Sequence, residues 1–189
     1  MLYELILKNR SYRRFDQQVR IDRSILIKLV NLARLSPSAA NLQPLKYLLS
    51  WEPERNGIIF PHLAWAGYLR DWPGPEVGER PSAYIIILAD ATIHKDINCD
   101  HGIAAQSILL GACEQGLGGC IIASVNRKAL SKALNLSDQY FILLVLALGK
   151  PKEVVVLENV GPDGKIEYWR DTQQVHHVPK RSMEEIILA

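Results

Sequence analysis

The stretch DHGIAAQSILLGACEQGLGG, residues 100–119, sets the tightest limit on what this chain can fold into. Its Ala, Ile, Leu and Gln residues suit a helix that is apolar on nearly every side, and such a helix must lie in a core or an interface. Other elements therefore have to cover it. The runs YIIILA at 84–89 and FILLVLALG at 141–149 are expected to be buried strands. KYLLSW at 46–51, CIIA from residue 120 and VVVL at 154–157 add shorter β-rich runs.

Helices are expected between these strands. Leu2, Leu5 and Ile6 suggest a short first helix. Asp22 is placed to cap a second, whose Ile25, Leu26, Leu29, Val30 and Ala33 lie at helical spacing and which Pro37 ends. Gly116, Gly118 and Gly119 terminate the apolar helix, and Asn126 can cap a short one around Leu130 to Leu134. HLAWAGYLRDW at 62–72 also has helical spacing, inside a proline-rich stretch that is long for a connection in a compact domain. GPDG at 161–164 signals a turn, IEYW continues in extended form, and VPKRSMEEIIL returns to helix-like spacing. Four or five strands among about five helices describe one α+β layered domain over residues 1–189, with a mixed central sheet flanked by helices.

A formal net charge of +2 argues against a nucleic-acid or membrane surface. No apolar run approaches the roughly 18 residues of a membrane span. The opening MLYELILKNR has charges inside it and lacks a leader pattern. Cys99, Cys113 and Cys120 fit no zinc spacing and read as reduced residues, so a cytoplasmic protein is expected.

Arg10, Ser11, Arg13 and Arg14 form the densest cationic cluster. The planar guanidinium suits phosphate oxygens, and a serine hydroxyl adds a donor; a solvated basic turn is the plain alternative. Lys180-Arg181 is a second cluster. QGLGGC follows a helix and precedes a strand, the reverse of a dinucleotide fingerprint, so its glycines read as a cap and a tight turn. His176 and His177 are adjacent, and on an extended chain they face opposite ways, which makes a poor metal site. No nucleophile–base pair stands out. SPSAANLQP at 36–44 is low in charge and rich in hydroxyls, amides and small side chains, so it can approach a flat polar molecule closely.

RSYRRF, SPSAANLQPLKY about 25 residues later, DHGIAAQSILLGACEQGLGGCIIAS, FILLVLALGKPKE and PKRSMEEII together resemble the FMN-dependent nitroreductase family, over residues 4–187. The resemblance implies an α+β nitroreductase-like fold and an interlocked homodimer with FMN at the subunit interface. It also implies NADH or NADPH as transient co-substrate and a nitroaromatic or quinone as electron-poor acceptor. By position, Arg10, Ser11 and Arg13 would hold the flavin phosphate and pyrimidine edge, with Lys180 and Arg181 reaching the phosphate. Pro37, Ser38, Ala39 and Asn41 would line the ring, with Gln43 close by. Ala123 and Ser124 would bring backbone N–H groups to N5 and O4. The chemistry then belongs to the flavin N5, in ping-pong order, and no catalytic side chain is implied. The sequence departs from the family at Asn9, commonly Arg, at CIIAS, which lacks the usual Pro, acidic residue or Gly, and over residues 51–81, which match no family pattern and whose Trp65, Tyr68 and Trp72 are expected to shape substrate access, with core packing as the alternative. A flavin-binding redox sensor or carrier, and a specialised flavin dehydrogenase or dehalogenase, are the competing readings.

Overall fold

The run YFILLVLALG forms the spine of the fold. The structure is a computed structural model that describes residues 1–95 and 97–188. In chain order the elements are α1 Leu2–Lys8, β1 Phe15–Asp16, α2 Arg23–Leu35, β2 Leu45–Ser50, α3 Pro53–Ile59, β3 Ala83–Asp90, α4 Asp100–Glu114, β4 Gly118–Ile122, α5 Arg127–Ala133, β5 Tyr140–Pro151, β6 Val155–Asn159, β7 Trp169–Arg170, β8 His176–Lys180 and α6 Met183–Ile186. Two 3-10 turns, Ala39–Asn41 and Phe60–His62, follow α2 and α3.

β5 pairs with β3 through residues 140–148 and with β4 through residues 145–149, so it lies between them. β2 extends the sheet beyond β3, and β1 pairs with the end of β5 at Pro151 and Lys150. All these ladders are antiparallel, where a mixed central sheet was expected; parallel pairing occurs between β6 and β8 and in the single bridge from Ser11 to Gly119. Successive strand residues face opposite ways. Ile85, Ile87, Leu144, Leu146 and Leu148 therefore meet α2 and α4, while Tyr84, Ile86, Leu88, Val145 and Ala147 meet Ile59, Trp65 and Leu130 on the other face. A bulge shifts the register between Ile87 and Leu88, whose partners are Leu144 and Ile142. The extra residue reverses the parity of β5, which sends Ile142 to the second face.

The all-round apolar helix is α4, with Ala104, Ala105, Ile108, Leu109 and Ala112 buried. A Cβ at Gly111 would lie 2.2 Å from a Leu32 methyl, so α2 and α4 pack closely there and a larger residue would make that side chain move. Asp22 stands at the N-cap of α2 without a side-chain cap bond, whereas the Asn126 side chain accepts from Ala129 N–H at the start of α5. Residues 63–72 are not the helix their spacing suggests. Leu63 bridges Val125, Ala64 N–H donates to Ser124, and Ala66 takes a left-handed φ of 42° before two successive turns. Tertiary contacts of Leu63 and Trp65 override local propensity there. The proline-rich stretch instead begins with α3, which carries Pro53 at its first turn, a position that needs no N–H. Of IEYW, only Trp169 enters a strand.

Candidate active site

The RSYRRF loop joins α1 to β1 and runs along the close-packed glycines at the start of β4. Tyr12 N–H donates to Gly119, and a Cβ on Gly118 would lie 2.5 Å from the Tyr12 ring. The three arginines take different roles. Arg10 donates to Ile6 at 2.5 Å, and its Nε is enclosed without a partner. Arg14 makes a two-point pair with Glu79, at 2.5 and 2.8 Å, with Lys152 3.2 Å from the same carboxylate. Hydrogen bonding from Arg14, assisted by Lys152, holds the Glu79 carboxyl down at about 2.

Arg13 is spent differently. It makes no ion pair with an acid among the described residues. Its guanidinium lies 4.7 Å over the Tyr168 ring, donates to Ser11 at 3.2 Å and stands 3.4 Å from Nε2 of His176. Burial, reinforced by Arg13, Arg170 and His177, pushes His176 down to about 4, so its imidazole is neutral at physiological pH. Glu153 is buried behind the loop and accepts from Arg13 N–H, from Arg14 N–H at 3.1 Å and from Arg170 at 3.0 Å.

A cavity of about 290 Å³ opens beside Arg13 and Tyr168, walled by Trp65 and by residues 120–124. Burial raises the Cys120 thiol in its wall. β4 ends at Ile122, so Ala123 and Ser124 leave the ladder. Neither of their N–H groups has a loop or turn acceptor among the described residues, while Ser124 carbonyl takes Ala64 N–H at 2.9 Å.

The SPSAANLQP loop is built around Asp100, buried in the first turn of α4. Its carboxylate accepts from Ser38 Oγ at 2.5 Å and from Ala39 N–H at 3.0 Å, and Ser38 Oγ accepts from Gln43 N–H at 2.9 Å. Ala40, Asn41 and Gln43 hold φ values of 46°, 55° and 51°, a conformation that L-residues adopt at a cost of about 1 kcal/mol or more each. Pro37, Ser38 and Gln43 line a cavity of about 160 Å³ with Arg34, Tyr47 and Asp100, and Ala39 and Asn41 are exposed on the turn beside it.

Two groups of expected site residues are therefore brought together, Arg13 with Ala123 and Ser124, and Pro37 with Ser38 and Gln43, each in its own cavity. Ser11 bridges Gly119 and its carbonyl accepts from the Arg13 guanidinium, and Arg10 precedes it on the same loop. Lys180 ends β8 in an exposed position, and Arg181, just ahead of the last helix, pairs with Glu185 in it at 3.2 Å. His176 and His177 do face opposite ways: His176 meets Arg13, while His177 stacks on Trp169 at 4.1 Å and contacts Glu158 and Asp171. Sequence reasoning passed over Asp100, Glu153, Tyr168 and His176 as members of this region. Only Asp100, an acid at a helix start, carried a local signal.

A five-stranded sheet between helix layers, an arginine loop against β4 and a hydroxyl-amide loop on the apolar helix together define the class. The chain belongs to the nitroreductase family, whose model matches residues 6–56 and 70–150. The unmatched stretch 57–69 is narrower than the 51–81 segment singled out from sequence, and the tail beyond residue 150 is also unmatched. Among individual proteins, Putative NAD(P)H nitroreductase YodC of Bacillus subtilis (strain 168) is 24% identical, with 87% of this chain and 96% of that protein aligned. A nitroreductase family protein from Clostridium novyi NT superposes with a TM-score of 0.68 at 24% identity, covering 100% of this chain and 99% of the other. The NADPH:FMN oxidoreductase from Vibrio harveyi, solved with NAD+, gives 0.62 at 24% identity over 80% of this chain and 69% of that one.

Proposed function

We propose that the protein is an FMN-dependent oxidoreductase that moves reducing equivalents from NAD(P)H to an electron-poor acceptor, a nitroaromatic or a quinone, in ping-pong order. The observation that carries this reading is Arg13, whose guanidinium has no acid partner among the described residues and lines one cavity with Ala123 and Ser124. The residues fit a flavin: among the described residues the Arg13 cation is paired with no acid and two N–H groups lack loop acceptors, and small side chains at Ala39 and Ala123 permit close approach. FMN bound there would supply the two-electron redox chemistry that links the nicotinamide to the acceptor.

The chain's own part is to bind, orient and polarise. Arg13 would hold the pyrimidine edge, where a fixed cation favours the reduced anion. Arg10 and Ser11, with Lys180 and Arg181, would hold the phosphate. Pro37, Ser38, Ala39, Asn41 and Gln43 would line the ring, and the Ala123 and Ser124 N–H groups would sit at its reactive edge. Because the two half-sites occupy separate cavities on one chain, an interlocked homodimer is the assembly that would join them. α1 has no buried residue and leaves Leu2, Tyr3, Ile6 and Leu7 exposed, as an element awaiting cover does. Among the described residues no helix is long and apolar enough to cross a membrane; the reading includes a cytoplasmic setting.

The test is a visible spectrum of the purified protein, with and without added FMN, after gel filtration. Flavin bands that travel with a dimer, and steady NAD(P)H oxidation with an added quinone, are expected. A protein that refuses FMN would end the proposal. Bound flavin that is reduced once and then stops would replace the enzyme with a sensor or carrier.

A further inference from the structure

Glu153 lies just beyond β5, and its side chain is only 1% exposed. One carboxylate oxygen accepts the N–H groups of two consecutive residues, Arg13 and Arg14, and the other accepts Arg170 at 3.0 Å. Arg170 is itself nearly enclosed and lies 4.2 Å over the Trp72 ring. Two adjacent N–H groups directed at one oxygen fix the backbone on both sides of the Arg13 Cα. Arg13 then leaves towards Tyr168 and His176, while Arg14 leaves towards Glu79. The acid grips Arg13 by its main chain, so the guanidinium is not consumed in an ion pair. Glu153 is also outside the span matched by the family model.

We infer that Glu153 is a positioning residue: it ties the Arg13–Arg14 backbone to Arg170 and so aims the Arg13 guanidinium into the cavity that also holds Ala123 and Ser124. This rests on the proposal that FMN binds in that cavity. Charge matters as much as shape, because a carboxylate makes hydrogen bonds roughly twice as strong as a neutral acceptor does. Glu153→Gln keeps a carbonyl oxygen in place and removes the charge.

Two measurements on the full-length protein test the inference. The first is hydrogen exchange at the Arg13 and Arg14 amides without FMN, which needs no flavin site; Glu153→Gln is expected to speed it at least tenfold. The second is FMN affinity by fluorescence titration, in wild type, Glu153→Gln, Arg13→Ala and the double variant. Glu153→Gln alone is expected to weaken FMN about tenfold, and to add little once Arg13 is gone. A Glu153→Gln protein that binds FMN as wild type does overturns the inference. So does a loss that adds fully to that of Arg13→Ala, since the acid then acts on the fold and not through Arg13. If wild type binds no FMN, the flavin reading fails by itself. Unchanged amide exchange in Glu153→Gln would then remove the clamp as well.

Discussion

The ion pair between Glu79 and Arg14 gives a stability prediction whose size follows from the structure. Glu79 receives two hydrogen bonds from Arg14 and one contact from Lys152, and its carbonyl accepts Phe15 N–H, so it fastens β1 to the loop before β3. Its carboxyl moves from an ordinary 4.5 to about 2. At 1.36 kcal/mol per pKa unit that displacement corresponds to about 3 kcal/mol. Arg14 and Lys152 both reach solvent, which screens the pair, so about 2 kcal/mol is the working figure. The folded value lies below the unfolded one. The contribution is therefore complete above pH 4.5 and is lost as pH falls through the folded value, about 2. Glu79→Gln has no charge to lose. Urea melts of both proteins from pH 7 to pH 2.5 should show wild type ahead by about 2 kcal/mol at neutral pH, with the gap closing between pH 4.5 and the bottom of the range. A gap that is constant with pH would show that the ion pair is not its source.

Three other changes test separate parts of the structure. Arg13→Ala should weaken FMN binding by about tenfold to a hundredfold, the range of one charge-assisted contact, as read by fluorescence titration. Gly119→Ala should cost about 1–3 kcal/mol in thermal melts, because the new Cβ would lie 2.6 Å from the Ala147 carbonyl and backbone cannot yield as a side chain does. Asn126→Ala should cost about 1 kcal/mol by removing the cap on Ala129 N–H, and should leave FMN affinity unchanged.

What could be read in advance was periodic. β3, β5 and α4 carry their burial in local patterns, and Asn126 marks the start of its helix, whose first residue is Arg127. Residues 63–72 misled because their spacing is helical while their partners, Ser124 and Val125, lie some sixty residues away. The bulge that turns Ile142 to the second face leaves no mark in an unbroken apolar run. The site shows the same division. The arginine cluster and the amide-rich loop stand out as strings of residues. Glu153 reaches Arg13 across 140 positions and His176 reaches it across 163, and no window of sequence holds both ends. Nor could sequence separate Arg14 from Arg13; a single carboxylate at Glu79 does that.

The central place of β5 also governs how the molecule is made. A ribosome releases β1, β3 and β4 before the strand that all three need as a neighbour. The β2–β3 ladder can close early, and helices that precede β5 can cover its faces, yet the apolar β3 then keeps one bare edge. Until residues 140–151 emerge, a nascent chain carries an apolar strand of the kind that recruits other strands. Chains cut short before β5 should therefore aggregate, whereas chains that stop just after residue 151 already own every strand of the central sheet.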